Sequence, residues 1–217
     1  MARGYKPKKL IVEGSQDKRV IPEFIEKKGI PWGEKKEKAI VHIESYGSDQ
    51  FIDPYVISTE LKASGLTHFG LMVDADDNPR GPWESIRNAC LKSIPDFPED
   101  LPKTGLIHTT NGIKFGVWIM PDNQMQGMLE TFLAYMIPNE SEPLWNYAQK
   151  VVSESKTKGA PLKEAHTDKA NIYTWLAWQN EPGRQLHQAI KERILDPNYP
   201  HPKAQAFFDW FKNLYDL

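Results

Sequence analysis

Leu71-Met72-Val73-Asp74-Ala75-Asp76-Asp77-Asn78-Pro79 closes an apolar run that begins at Phe69 and breaks off into three acidic residues before an Asn-Pro turn signal. Apolar strands of this kind are buried in parallel sheets, and ligands of open α/β sheets sit beyond the carboxyl ends of the strands. Asp74 and Asp76 are two apart, so a strand that continued through them would point both carboxylates to one side. Two carboxylates at one strand end repel each other unless a cation lies between them. A divalent-metal site is therefore the first expectation.

Upstream, Lys9-Leu10-Ile11-Val12-Glu13-Gly14 is a second short apolar strand that closes on a glutamate and a glycine. Ser15 fits as the N-cap of the next helix, with Asp17 in its first turn and Val20, Ile21, Phe24 and Ile25 on its apolar face. A strand at 39–43 and a helix at 55–63, capped by Asp53 and followed by Gly65, lead into the strand ending at Asp74. A helix at 83–93 follows. The β-α-β-α-β-α order predicts right-handed crossovers and a parallel sheet.

Beyond it, runs at 105–110 and 113–120 join through Asn111-Gly112, a strong hairpin signal. A helix is expected at 126–137, with Glu130 near its start and off its main apolar stripe. After residue 143 strand signals vanish, and helices are expected at 143–155, 163–179, 183–195 and 203–217. The polar stretch 156–161 reads as a mobile linker. Trp175, Leu176 and Trp178 read as core residues of their helix.

The chain has 217 residues, a formal charge of −2, 40% hydrophobic and 26% charged residues, enough for a core of substantial size. That charge argues against coating nucleic acid by bulk electrostatics, though not against a local basic groove. The single Cys90 excludes an intrachain disulfide and a cysteine-based zinc site, and it reads as a small buried hydrophobe. No apolar run approaches a membrane span, and residues 1–9 are basic without a following apolar segment, so a cytoplasmic location is expected. The six histidines are scattered. HExxH, nucleophile-elbow and Walker-type signatures are absent.

The carboxylates near expected strand or helix ends are Glu13, Asp17, Asp74, Asp76, Asp77, Asp122 and Glu130. Several have plain structural readings: Asp17 complements a helix N-terminus, Asp77 serves the Asn-Pro turn, Asp122 caps the helix after it, and Glu130 is a solvated first-turn charge. Glu13 and Asp74 are harder to dismiss, because each ends an apolar strand where a carboxylate is desolvated without a partner. If those strands are neighbours, Glu13, Asp74 and Asp76 converge on one crevice. An all-oxygen cluster suits Mg²⁺ or Mn²⁺. Two such ions roughly 3.5–4 Å apart would stabilise both oxygens of an in-line phosphodiester displacement.

Val12-Glu13-Gly14 with Asp17, followed by Val73-Asp74-Ala75-Asp76, resembles the TOPRIM domain shared by topoisomerases, DnaG-type primases, recombination mediators and the overcoming-lysogenization-defect (OLD) nucleases. The match covers about residues 8–95. Gly116-Val117-Trp118-Ile119-Met120-Pro121-Asp122-Asn123, Leu129-Glu130 and Thr174-Trp175-Leu176-Ala177 extend it, so that the whole chain resembles small, stand-alone, mostly uncharacterised TOPRIM proteins. The fold this implies is α/β: a Rossmannoid core with a mainly parallel sheet flanked by helices over 1–138, and a C-terminal helical extension over 139–217 packed on it. The resemblance also implies roles. Glu13 would be a metal ligand or general acid/base, and Asp74 and Asp76 would be metal ligands. By similarity to OLD-type nucleases, Asp17 and Glu130 would hold a second metal and Lys169 would approach the scissile phosphate. No ATPase, tyrosine strand-passage or zinc module accompanies the motif.

The expected activity is therefore Mg²⁺- or Mn²⁺-dependent cleavage of DNA or RNA by a small nuclease, with a partner protein or a homodimer possible. A non-catalytic TOPRIM module that binds nucleic acid or acts as an adaptor is the alternative. A D-x-D nucleotide-sugar transferase shares the metal motif but fails on Glu13-Gly14 and on chain size. Lys8, Lys9, Lys18, Arg19, Arg80, Lys114 and Lys169 are the candidate phosphate-holding residues, against the plain reading of a solvated charged surface.

Overall fold

A computed structural model describes residues 6–33 and 38–217, so the first five residues of the basic N-terminal stretch lie outside the described part. The chain runs β1 (Lys8–Val12), α1 (Asp17–Lys27), β2 (His42–Ser45), α2 (Pro54–Leu61), β3 (His68–Asp74), α3 (Arg80–Cys90), β4 (Leu106–Thr110), β5 (Ile113–Met120) and α4 (Leu129–Ala134). Four further helices follow: α5 (Glu142–Thr157), α6 (Thr167–Ala177), α7 (Leu186–Lys191) and α8 (Pro202–Tyr215).

Five strands form one sheet in the order β2-β1-β3-β5-β4, parallel except for β4. The expected α/β class with a mainly parallel sheet is what the chain adopts. Asn111 and Gly112 take positive φ of 48° and 77°, the backbone a tight β4–β5 hairpin needs. Chain order reverses at β1: β2 lies on one side of it and β3 on the other. That reversal places a crevice at the carboxyl ends of β1 and β3.

Strand residues alternate between two cores, as a period of two requires. Leu10, Val12, Met72, Trp118 and Met120 face α1 and the helices from α4 to α8. Ile11, Leu71, Val73, Val117 and Ile119 face α2 and α3. On the first face Gly70 and Gly116 are paired in register, and a Cβ on either would collide with Tyr215 or Leu214 of α8. The two glycines make a shallow seat for the last turn of that helix, whose Tyr215 hydroxyl donates to the Lys9 carbonyl at 2.9 Å.

Some expected boundaries shift for identifiable reasons. The 39–43 strand begins only at His42, because the Ile40 N–H is donated to the Trp32 carbonyl. Gln16, with no side-chain bond, stands at the N-cap of α1 in place of Ser15, whereas Asp53 caps α2 through the Tyr55 and Val56 N–H groups. The expected linker closes the α5–α6 hairpin instead, and Lys156 there binds Glu164 at 2.6 Å and Thr167 at 3.0 Å. Trp175 and Leu176 are buried, but Trp178 is 40% exposed and stacks on Tyr147. Cys90 is fully buried, which pushes its thiol up to about 12.

Candidate metal centre

β1 and β3 are adjacent and parallel, so Glu13 and Asp74 emerge side by side at the crevice. Glu13 Oε2 accepts from the Asp74 backbone N–H at 3.4 Å. One residue on, the Gly14 N–H donates to Asp17 Oδ2 at 3.0 Å, and a Cβ on Gly14 would fall 2.6 Å from that oxygen. The glycine of the E-G-x-x-D pattern is thus the residue that lets the Asp17 carboxylate fold back onto the backbone just after Glu13.

The strand ends at Asp74. Asp76 turns into left-handed backbone at φ 48° and is exposed, so Asp74 and Asp76 are not successive same-side residues of one strand as the two-residue spacing suggests. Its backbone instead pairs with Gly127, donating to the Gly127 carbonyl at 3.0 Å and accepting from the Gly127 N–H at 2.8 Å. This bridge accounts for a second shift. Gly127 is held at φ 132° and the Leu129 N–H is taken by Asp74 Oδ1 at 3.1 Å, so α4 begins at Leu129 and not at 126.

Glu130, in the first turn of α4, is only 4% exposed, where a solvated charge was one of the two readings from its position. Its Oε1 meets Lys169 Nζ of α6 at 3.4 Å, with the lysine half-exposed. Beside them Thr131 donates to Asp168 and accepts from the Met128 N–H at 3.0 Å. Asp168 and Thr131 were not singled out as site residues from the sequence. Their partnership spans 37 positions, so no local pattern announces it.

Glu13, Asp17, Asp74 and Glu130 therefore come from four separate elements or element ends and act on one another electrostatically. Burial, with the charges of Glu130 and Glu13 adding to it, raises the Asp17 carboxyl to about 7 against the Gly14 N–H bond. Burial likewise raises Asp74 well above the usual carboxylate range, with Asp17, Glu13, Glu130 and Asp76 adding to it. Glu13 is raised by burial and by the charges of Asp76 and Asp49, against the Asp74 N–H. Among the described residues, no group of three or more His, Cys, Asp or Glu side chains stands in a metal-holding arrangement. The geometry gives the reason: Glu13, Asp17 and Asp74 are turned onto backbone N–H groups, and Glu130 is turned onto Lys169.

Asp122 does not join them. It accepts from the Gln124 and Met125 N–H groups, a turn that ends before any helix starts, and its other oxygen meets Lys203 Nζ at 2.5 Å. Burial pulls its carboxyl upward, but Lys203 and the two N–H groups outweigh burial and hold it below the usual range. Of the candidate phosphate-holding residues, Lys8, Lys9 and Lys114 stand at the opposite end of the sheet. Lys9 is paired with Glu44 and Glu60 there, and Lys114 with Asp216. Lys18 and Arg80 lie in the first turns of α1 and α3, on the crevice side.

Two clefts flank the carboxylates. One of roughly 200 Å³ is lined by Asp76, Gly127, Glu164 and Asp168. The other, of about 450 Å³, opens from Glu130 and Asp168 towards Tyr135, Trp145 and His201. No helix among the described residues is long and apolar enough to cross a membrane.

Comparison with known proteins gives one family and structural neighbours. A family model described as "Protein of unknown function (DUF3226)" matches residues 7–216. The C-terminal region of the Burkholderia pseudomallei OLD protein shares the fold, with a TM-score of 0.51 at 12% identity over 98% of this chain and 100% of that one. The C-terminal region of the Xanthomonas campestris pv. campestris OLD protein aligns with a TM-score of 0.48 at 15% identity, covering 99% of this chain and 98% of that one. A search of curated proteins gives no match.

Proposed function

We propose that this chain, which belongs to the DUF3226 family, is a divalent-metal-dependent phosphodiesterase that cuts DNA or RNA. One observation carries the reading: mutually repelling, desolvated carboxylates gather where the strand order reverses, with Lys169 as their close cationic neighbour. Four like charges held in a partly buried crevice are costly to the fold unless protons or a cation neutralise them. The donors are all carboxylate oxygens, which fits Mg²⁺ or Mn²⁺ and not a softer ion.

Glu13, Asp17, Asp74, Asp76 and Glu130 are the residues that would hold the metal, once Glu13, Asp17 and Asp74 exchange their backbone bonds, and Glu130 its lysine, for it. When bound, the ion supplies neutralising charge to the phosphate and acidity to an attacking water. Glu13, at the mouth of the crevice with its carboxyl already raised, is suited to take the proton from that water. Lys169, half-exposed beside Glu130, is suited to bind a non-bridging phosphate oxygen. The likeness to the OLD C-terminal region is one of fold, and it supports the OLD-type nuclease resemblance only to that extent.

A second reading is favoured by the side-chain arrangement itself, since no metal-holding group is preformed among the described residues. In it the chain binds nucleic acid, or an adaptor partner, without turnover. Titration with Mn²⁺ followed by calorimetry, together with cleavage of plasmid, single-stranded DNA and structured RNA, separates the two. Saturable Mn²⁺ binding with cutting supports the phosphodiesterase. Retention of nucleic acid in EDTA with no cutting in Mn²⁺ supports the binding module.

A further inference from the structure

The larger cleft, of about 450 Å³, is within the size range of small-molecule sites and shares Glu130 with the carboxylate crevice. Its walls come from α4 and the turn after it, the first half of α5, Asp168 of α6 and the Tyr199–His201 segment. Two features of the lining bear on what it could hold. The first is aromatic: Tyr135 and His201 stack with ring centres 4.2 Å apart and planes 4° apart, and Trp145 and Tyr199 complete the lining. The second is a set of uncommitted polar groups. Among the described residues, Asn139, Glu142 and Gln149 make no side-chain hydrogen bond or ion pair.

The charge of the cleft decides which part of a ligand it takes. Glu142 and Asp168, with no lysine or arginine in the lining, make the part of the cleft away from the Glu130–Lys169 pair acidic, so a phosphate is repelled from it. A flat ring with N–H donors is not: its face suits the aromatic side chains, and its amine suits the carboxylates and carboxamide oxygens. We infer that the cleft beside Glu130 receives one unpaired nucleobase bearing an exocyclic amine, from the strand whose phosphate lies at the carboxylate crevice. The inference rests on the phosphodiesterase reading for the placing of that phosphate. A paired base cannot present its edge to the cleft, so the substrate class is single-stranded or locally opened nucleic acid.

The test is fluorescence anisotropy with three labelled strands of equal length: oligo-deoxycytidylate, oligo-deoxyuridylate and an abasic deoxyribose-phosphate strand. Cytosine and uracil differ only in the amine and its neighbouring ring proton. The expected order is cytidylate, then uridylate, then abasic, with cytidylate tighter than uridylate by about tenfold. The Asn139→Ala/Gln149→Ala double variant and the cleft-filling Gln149→Trp should bring all three strands to the abasic level. Both sites are exposed, so circular dichroism and the thermal midpoint should stay as in the parent protein.

Equal affinity for the three strands, or variants that keep the preference, overturns the inference. Free dCMP that competes as well as the strand overturns it too, because the ligand is then a mononucleotide. The same series in EDTA separates this inference from the reading beneath it. A base preference kept in EDTA, with no cutting in Mg²⁺, leaves the base cleft standing and removes the phosphodiesterase. Cutting in Mg²⁺ without base preference does the reverse.

Discussion

The Glu13 carboxylate accepts the backbone N–H of Asp74 at 3.4 Å, linking the carboxyl ends of two neighbouring parallel strands. The contact spans 61 positions and sits where chain order reverses about β1. Everything expected of the crevice depends on this closeness.

Replacing either partner isosterically should therefore remove the activity and leave the fold. Glu13→Gln and Asp74→Asn are each expected to lower metal-dependent cleavage by at least ~100-fold, the usual scale for a lost general base or charged ligand. Circular dichroism should be unchanged. Cleavage at the parent rate in both variants would refute the catalytic reading.

The crowded carboxylates also fix the sign of a pH effect. Burial, with Glu130 and Glu13, raises Asp17 from 3.8 to about 7, so the folded protein holds that proton more tightly than the unfolded chain. Its contribution to stability is full below 3.8 and is lost as pH rises through about 7. In EDTA, the thermal midpoint should fall between roughly pH 5 and pH 8, and Asp17→Asn should flatten that fall. Mg²⁺ or Mn²⁺ should raise the midpoint most at the alkaline end. A midpoint that climbs with pH in EDTA and is indifferent to Asp17→Asn would contradict the cluster.

Lys203 is a structural partner, 2.5 Å from the buried Asp122 and over the Tyr135 ring. Lys203→Met leaves that carboxylate without its cation while keeping most of the side-chain volume. A loss of ~2 kcal/mol is expected, or roughly 4–8 °C in thermal midpoint for a chain of this size. Asp122→Asn in the Lys203→Met background should recover part of it. A midpoint within a degree or so of the parent would show the pair to be dispensable.

Gly116 faces Leu214, whose Cδ2 would lie 2.6 Å from an added Cβ. Gly116→Ala is expected to cost ~1–3 kcal/mol by overpacking. Leu214→Ala, costly by itself through the cavity it opens, should be partly relieved in the double variant, giving a favourable coupling in a double-mutant cycle. Strict additivity measured by denaturant unfolding would mean that the seat accommodates a methyl group by shifting α8.

Much of this arrangement was legible along the chain because it is written in local chemistry. The apolar run into Asp74, the Asn111-Gly112 turn and the Asp53 cap each depend on a few consecutive residues, and each stands where their spacing puts it. Glu13 and Asp74 followed from two strands ending in carboxylates. What escaped is tertiary. The start of α4 is set by the Asp76–Gly127 bridge, and Glu130 is covered by α6, neither of which a helical wheel contains. Asp168 lies next to Lys169 in sequence, yet its meaning comes from Thr131 on another helix. Trp178 looks like its buried neighbour Trp175 in composition and differs only in the face it is given.

The Asp76–Gly127 bridge also says something about time. A nascent chain that has emerged as far as Asp76 carries Glu13, Asp17 and Asp74 as well, but the backbone that pins Asp76 lies about fifty residues further on. Glu130 arrives with that segment and Lys169 later still. No fragment that stops short of α6 holds the whole crevice, because Glu130 and Lys169 meet only when α4 and α6 are both present.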